Sequence, residues 1–539
     1  MVSTIPPRDE ETTVRLLTFN VNGIRTFFHY QPFSTMNQSL IKAFNYLQAD
    51  IITFQELKIE KATVPKWVPS PDEFLTFISI PVKKKGYAGV GCWIRKYDEG
   101  HPLFVVAAEE GITGYLSLKL DGKNSVKTYR EMDQLNLGQT VGGYDGIEMS
   151  KDEALDLDSQ GRCVMIELKC QIVVICVYCP ANSGLSEEGE LFRMKFLKVL
   201  FKRIRNLYAM GKNPILMGDV NVCRDLIDSA ESLEVLRIPV TNNTDGIQLE
   251  KNYCLNCQEF VMNPATPHRR LLNQLLKDSI VPDLAKDGIL VDSTRWLQTR
   301  KRVKMYTVWN TLKNYRPVNY GSRVDFILTS DKLIPSFKES DILADVMGSD
   351  HCPVYLDLDL KGIDLEENKE TVKINKIPRF EARFKYDLMN HDVLKMFAYR
   401  TKLKDTEIKS TASCSNQITK SVSGTNSNAK RSRSIDTFFS SSKQKKAKLQ
   451  SFAENATKSK SSAFLPISQS PQAAIKGANK PTNSIKALFG KAPLCKHGED
   501  AILKTSRTST HPGKRFWVCN RPQGDTGNTE SSCGFFQWV

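Results

Sequence analysis

Short apolar runs rich in branched and aromatic residues recur along this chain, and each ends beside a polar group capable of chemistry. The runs are VRLLTFNV, DIITFQEL, GVGCWIR, CVMIELKCQIVVICVYCP, NPILMGDVNV, RVDFILTS and HCPVYLDLDL. Several are almost continuously apolar, the pattern of strands covered on both faces. Between them, apolar residues recur every three or four positions in Ser39–Leu47 and Leu191–Tyr208, which predicts helices. Two packed sheets flanked by helices would bury all of this, so residues 14–362 read as one α/β unit. The polar, glycine-containing stretch 121–160 predicts a long surface insertion.

Asn20 and Asn22 follow the first run, Glu56 the second, and Tyr178 closes VVICV. Asp219 and Asn221 follow NPILMG, Asp325 lies in SRVDFIL, and Asp350 with His351 opens the last run. A carboxylate or carboxamide closing an apolar run is costly unless it is a ligand or well hydrogen-bonded. A lone Asn or Asp there is more often a turn former, but five such strand ends exceed what turns explain.

Taken chemically, the set describes a phosphodiester hydrolase. Glu56, Asn20 and Asn22 offer hard oxygens to a Mg²⁺-type ion, which neutralises charge on a scissile phosphate. Asp219 suits a general base for water, and Asn221 orients that water or donates to phosphate. His351, paired with Asp325, is expected to be raised in pKa and to donate as a cation, and Tyr178 adds a hydroxyl. With no Ser or Cys nucleophile beside a base, direct attack by water is expected.

The blocks LLTFNVNGIRT, DIITFQELK, VYCPANSG, MGDVNVCRD, SRVDFILTS and GSDHCPV, in this order, resemble the signature of the exonuclease III family, within the endonuclease/exonuclease/phosphatase superfamily. The resemblance implies a four-layer αββα sandwich of two mixed sheets and cleavage of DNA at abasic sites or 3′ ends. It implies Mg²⁺, with Mn²⁺ as a substitute. It places metal binding on Asn22, Glu56 and Asp350, with Asn20 supporting, and catalysis on Tyr178, Asp219, Asn221, Asp325 and His351. A second ion near Asp219, Asn221 and His351 is left open. Asn182 matches weakly, because Ala181 precedes it where the family often reads Pro-Asn-Ala-Gly. Strong abasic-site cutters of the family carry bulky aromatics where Val308 and Ser322 stand here. A looser wall grips a flipped sugar less firmly, so 3′-end work is expected to outweigh abasic-site incision.

Charge divides the chain. Residues 401–539 hold 23 basic and 8 acidic side chains, so the whole +15 excess lies there and the body is neutral. A basic tail suggests a polyanion partner or a nuclear address. Thirteen scattered cysteines, many inside apolar runs, fit reduced thiols rather than a disulfide framework. Residues 363–400 give a mixed signal, with Leu388, Val393, Leu394 and Phe397 as one apolar stripe. Residues 401–490 have the composition of a disordered linker. Inside it, Ile435, Phe438 and Phe439 stand at the spacing of a plug for the sliding clamp PCNA.

Residues 491–539 regain cysteines and aromatics. Cys495, His497, Cys519 and Cys533 form a Cys₃His set for Zn²⁺, able to hold a module too small for its own core. The segment resembles the GRF zinc finger, with Gly513, Lys514, Arg515 and Phe516 in place of Gly-Arg-Phe. Lys504, Lys514, Arg515 and Arg521 beside Phe516 suit single-stranded DNA, charge tracking phosphates and rings stacking bases. Phe535, Phe536 and Trp538 read as the module's core.

The expectation is a nuclear DNA-repair enzyme, monomeric, with no membrane segment. Its rivals are a superfamily relative acting on an RNA 3′ end or an inositol phosphate, and a non-catalytic scaffold for clamp and single strands.

Overall fold

Neighbouring residues of a strand face opposite ways, and β1 (Thr13–Asn20) uses that rule to build two cores at once. Leu16 joins a core shared by two sheets, whereas Leu17 and Phe19 join a second core beneath helix α1 (Leu40–Leu47). The computed structural model describes residues 5–363 apart from 62–63, 66, 70, 83–85, 121–125 and 185, then 377–386, 493–505, 515–519, 521 and 532–538.

The remaining strands of the body's two large sheets, in chain order, are β2 (Ile51–Gln55), β3 (Phe74–Ser79), β4 (Val90–Arg95), β5 (Val105–Glu110), β6 (Cys163–Leu168), β7 (Ile172–Tyr178), β8 (Asn213–Asp219), β9 (Leu290–Asp292), β10 (Asp325–Ser330), β11 (Phe337–Ile342) and β12 (Val354–Asp359). One sheet has the order β11-β12-β1-β2-β4-β3, the other β9-β10-β8-β7-β6-β5. Both are mixed, with β1–β2 and β7–β8 parallel and the other neighbours antiparallel.

Between the sheets, Leu16, Ile51 and Cys92 meet Ile166, Val174, Met217 and Ile327. On the far side of the second sheet, Val173, Ile175 and Leu216 pack against Phe196, Leu200, Ile204 and Leu207 of helix α2 (Glu187–Ala209). Each such buried side chain contributes ~1.5–3 kcal/mol relative to exposure. These are the four layers, α–β–β–α. Helix α2 starts earlier than the apolar period predicts, because its first turn holds Glu187, Glu188 and Glu190 behind the Ser186 cap. Cap and acids stabilise the N-terminus, yet add nothing to an apolar stripe.

The stretch 121–160 departs from the surface insertion expected. Tyr129, Met132, Val141, Ile147 and Leu157 are buried, and the buried Arg203 of α2 ion-pairs with the buried Glu109 while donating to the Gly142 carbonyl (2.8 Å). Its apolar side chains and some backbone carbonyls thus join the body, while Asn136, Glu148, Lys151 and Asp152 stay exposed. Residues 377–386 also dock on the body: Phe380 is buried against the Phe77 ring, and Lys385 reaches Glu110 (2.8 Å) and the Ile78 carbonyl (3.0 Å). They lie along β3 and β5, the edge strands of the two sheets. Leu388, Val393, Leu394 and Phe397, the linker and the clamp-like Ile435, Phe438 and Phe439 lie outside the described residues. No helix among the described residues is long and apolar enough to cross a membrane.

The C-terminal unit forms its own antiparallel sheet of β13 (Ile502–Thr505), β14 (Arg515–Val518) and β15 (Phe536–Trp538).

Candidate active site and zinc module

Strand register does most of the assembly. In parallel β7–β8, Tyr178 stands opposite Asp219, and in antiparallel β8–β10, Asp219 stands opposite Asp325. Three polar residues thus lie abreast at one end of the second sheet. Gly218 permits this close pairing: its φ is +144°, and a Cβ there would come within 2.0 Å of the Val177 carbonyl oxygen. In the first sheet, Asn20 stands opposite Gln55, so Glu56 follows at the same end. Asn22, Glu56, Asn182 and Asn221 all take left-handed backbone (φ 47–55°), which turns the chain sharply after a strand. For Glu56 that is uncommon for its residue type, and such positions cluster at functional sites.

Asn20, fully buried, ties the sheets together. Its Nδ2 donates to Glu56 Oε1 (3.0 Å) and to Asp219 Oδ2 (2.9 Å). Asn22 donates to Asp350 Oδ1 (2.9 Å), which also accepts from Ser349 Oγ (3.0 Å). His351 Nδ1 pairs with Asp325 Oδ2 at 2.8 Å, and its Nε2 faces Asp219 Oδ2 at 4.0 Å. The Asn221 amide donates to the Cys179 carbonyl (3.0 Å), and its backbone N–H donates to Asp219 Oδ1 (2.9 Å). Asn20, Asn22, Glu56, Asp219, Asn221, Asp325, Asp350 and His351 are thereby connected by polar contacts, and Tyr178 joins them by register.

Asn182 does not join them. Its amide donates to the Ser186 carbonyl (3.1 Å) and to Glu190 Oε2 (3.2 Å), and its Oδ1 accepts the Ser186 N–H, so it organises the start of α2. The shifted Ala181-Asn182 order is the sequence signal of this change.

Burial, then the neighbouring Asp325, pushes the Asp219 carboxyl up to about 7. Burial opposes charge on His351, but Asp325, Asp219 and Asp350 together outweigh it and raise the imidazole to about 10. Burial and the carboxylates of Glu56 and Asp219 push the Tyr178 hydroxyl far up, keeping it a donor. Burial likewise works against ionisation of Glu56, yet hydrogen bonds from Lys58 and Asn20 hold it below its ordinary value.

Two clusters bear on a metal. The ligand atoms of Asp219, Asp325 and His351 lie within 4.8 Å of one another. The hydrogen bond between Asp325 and His351 Nδ1 leaves Nε2 facing Asp219, an arrangement open to proton transfer or to an ion. Lys58 shows where a cation fits: its ammonium sits on Glu56 Oε2 (2.8 Å) and on Asn22 Oδ1, beside Asp350. These oxygen donors are the set a hard divalent ion takes. Lys58 escaped the sequence reading, since a lysine two residues after a glutamate looks like ordinary surface charge. Arg162 escaped it as well: buried, it lies 5.0 Å from the Tyr178 ring and donates to the Tyr178 carbonyl (3.1 Å).

In the C-terminal unit, ligand atoms of Cys495, His497, Cys519 and Cys533 lie within 4.8 Å of one another. His497 Nδ1 is 3.7 Å from Cys495 Sγ and 3.5 Å from Cys519 Sγ. Gly498 closes the turn with φ +74°. Three sulfurs and one imidazole match a tetrahedral structural zinc site. The aromatics differ from expectation: Phe536 is 51% and Trp538 37% exposed. With Phe516 they form an open cluster, ring centroids 4.9–5.4 Å apart. Arg515 is exposed at the start of β14, whereas Arg521 grips Glu499 through two hydrogen bonds (3.1 and 2.5 Å). Lys514 and the side chain of Lys504 lie outside the described residues.

A two-sheet sandwich that gathers a buried aspartate, a His351–Asp325 pair and an oxygen cluster at one end is the architecture of a phosphoester hydrolase. The chain belongs to the Endonuclease/Exonuclease/phosphatase family, whose profile matches residues 17–351, and residues 493–539 match the GRF zinc finger. A Saccharomyces cerevisiae protein named DNA-(apurinic or apyrimidinic site) endonuclease 2 is 54% identical, the match covering 98% of each chain. A Schizosaccharomyces pombe protein of the same name is 30% identical over 97% of this chain and 98% of that one. The crystal structure of the Xenopus laevis APE2 catalytic domain matches with 24% identity and a TM-score of 0.49, covering 69% of this chain and 97% of that one.

Proposed function

We propose that this chain is a nuclear DNA-repair phosphodiesterase. It hydrolyses DNA at abasic sites and removes 3′-terminal nucleotides or blocking groups, using Mg²⁺. The observation that carries the reading is the register that sets Asp219 between Tyr178 and Asp325, with His351 within 4.0 Å. Both endonuclease relatives match over nearly their whole length, finger included, which favours DNA over RNA or inositol phosphate.

Asp219 takes the proton of the attacking water, and Asn221 holds that water or a phosphate oxygen. His351, fixed by Asp325, donates to the phosphate, and Tyr178 donates to its oxygens or to the leaving group. Glu56, Asp350 and Asn22 would hold Mg²⁺, with Asn20 steadying Glu56. When bound there, Mg²⁺ offsets negative charge on the phosphate. In the C-terminal unit, Zn²⁺ on the Cys₃His set supports a surface for single-stranded DNA made by Arg515, Phe516, Phe536 and Trp538, with Lys504 and Lys514 adding charge. Ile435, Phe438 and Phe439 serve as a clamp-binding plug.

A groove of about 460 Å³ adjoins Asp350 and is lined by Val308, Trp309, Tyr320 and Ser322. Val308 and Ser322 pair directly, so the wall at that point is small. Those two small residues favour 3′-end removal over abasic-site incision, although Trp309, Tyr315 and Tyr320 line the same groove. Wild type and Glu56→Ala assayed on matched abasic and 3′-recessed duplexes, with Mg²⁺ and with chelator, test the proposal. Metal-dependent cleavage lost in Glu56→Ala is the expected result; cleavage of neither DNA would overturn it.

A further inference from the structure

The loop Asn310–Tyr320 rims the groove, and its one arginine is turned away from it. Arg316 Nη1 donates to the carbonyls of Ser349 (3.0 Å) and His351 (3.2 Å), and Nη2 donates to those of Ala344 and Val346 (2.8 Å each). Its guanidinium lies over the Trp309 ring at 4.6 Å, and the Trp309 backbone N–H donates to the Asp350 carbonyl (3.0 Å). Three consecutive carbonyls, of Ser349, Asp350 and His351, are thus held by two residues of a neighbouring segment. That turn carries both the carboxylate placed beside the cation site and the imidazole paired with Asp325.

We propose that Arg316 is a positioning residue for the reaction: it fixes the Ser349–His351 turn, and with it the spacing between Asp350 and His351. The inference rests on the reading of this site as a metal-dependent phosphodiesterase. Its physical basis is the planar guanidinium fork, which presents donors in two directions at once; a lysine ammonium brings the same charge but cannot span four carbonyls. Side chains behind the direct ligands commonly govern both metal affinity and rate. Arg316 donates to backbone carbonyls rather than to the carboxylate oxygens of Asp350, so it acts on that group through the turn.

The test compares wild type with Arg316→Lys and Arg316→Met in three measurements: steady-state cleavage of a 3′-recessed duplex, Mn²⁺ binding to the full chain by electron paramagnetic resonance, and thermal unfolding. Both variants should lose ~10–100-fold in kcat and a similar factor in Mn²⁺ affinity, while KM for DNA holds. The loss should be shared by the lysine variant and should persist well below its unfolding temperature. Wild-type kcat and Mn²⁺ affinity in Arg316→Lys would overturn the assignment. A rise in KM alone would do so too, since it would make Arg316 a DNA contact. Wild type without metal-dependent cleavage would refute the functional reading instead, and the Mn²⁺ measurement would still decide the role of Arg316.

Discussion

Asp219 and His351 are both raised above their ordinary values, and the pair sets the pH response. Asp219 must be ionised to accept a proton, and its carboxyl is pushed up to about 7 by burial and then by Asp325. His351 must be charged to donate, and Asp325, Asp219 and Asp350 together hold it to about 10 against burial. At limiting Mg²⁺, kcat/KM should therefore rise with pH through about 7 and fall above about 10. The limbs belong to the coupled trio rather than to single residues. Asp219→Asn should erase the lower limb and cut kcat by ~10²–10⁴-fold. The same substitution should raise the unfolding temperature at pH 8. A carboxyl raised on folding contributes stability that is complete below its ordinary value of 3.8 and lost as pH climbs through about 7. A neutral amide avoids that loss, so lower stability of Asp219→Asn at pH 8 would contradict the shift. These residues were legible because each borders an apolar run where a polar group is conspicuous. Lys58 and Arg162 were not, because they stand among the many balanced charges of the body and only the fold shows which of those face the site.

At the scale of elements, strands were readable and their register was not. The apolar runs marked β1, β2, β7, β8, β10 and β12, but nothing in them says that Asp219 stands opposite both Tyr178 and Asp325. Gly218 is the local cause of that pairing. Gly218→Ala places a methyl against the Val177 carbonyl and imposes backbone strain of ~1–3 kcal/mol. It should lower the unfolding temperature and, by shifting β8 from β7, lower kcat as well. Unchanged stability would mean that the strand relaxes freely. The docked segment 377–386 was the less legible case, since two phenylalanines among charged residues, Phe380 and Phe384, are too few to mark a stripe. Phe380→Ala should destabilise the body by about 3–5 kcal/mol in denaturant unfolding, the usual range for a buried aromatic. A body ending at residue 362 should lose at least as much.

Across the whole molecule, a neutral body and a basic tail divide the labour of chemistry and attachment. The zinc ligands could be read directly, because cysteine and histidine are scarce there and no apolar core competes for them. The exposure of Phe536 and Trp538 could not: the rings read as the module's core, and only the fold shows them open to solvent. With both rings exposed beside Phe516, each base stacked on this surface should contribute ~1–3 kcal/mol, and Trp538→Ala should weaken single-strand binding by one such increment. Arg515→Ala should lower the slope of log affinity against log salt by about 0.7, the value for one phosphate contact on a single strand. Zinc content, measured by atomic absorption, should hold in both variants. Tethering matters only where a single strand is present to be gripped, because a linked weak binder acts by raising local concentration. Cleavage of a blunt abasic duplex should therefore stay at the wild-type rate in both variants, while KM rises on a 3′ end flanked by a long single strand. Equal loss on the two DNAs would place the unit in the chemistry itself and remove the division between body and tail.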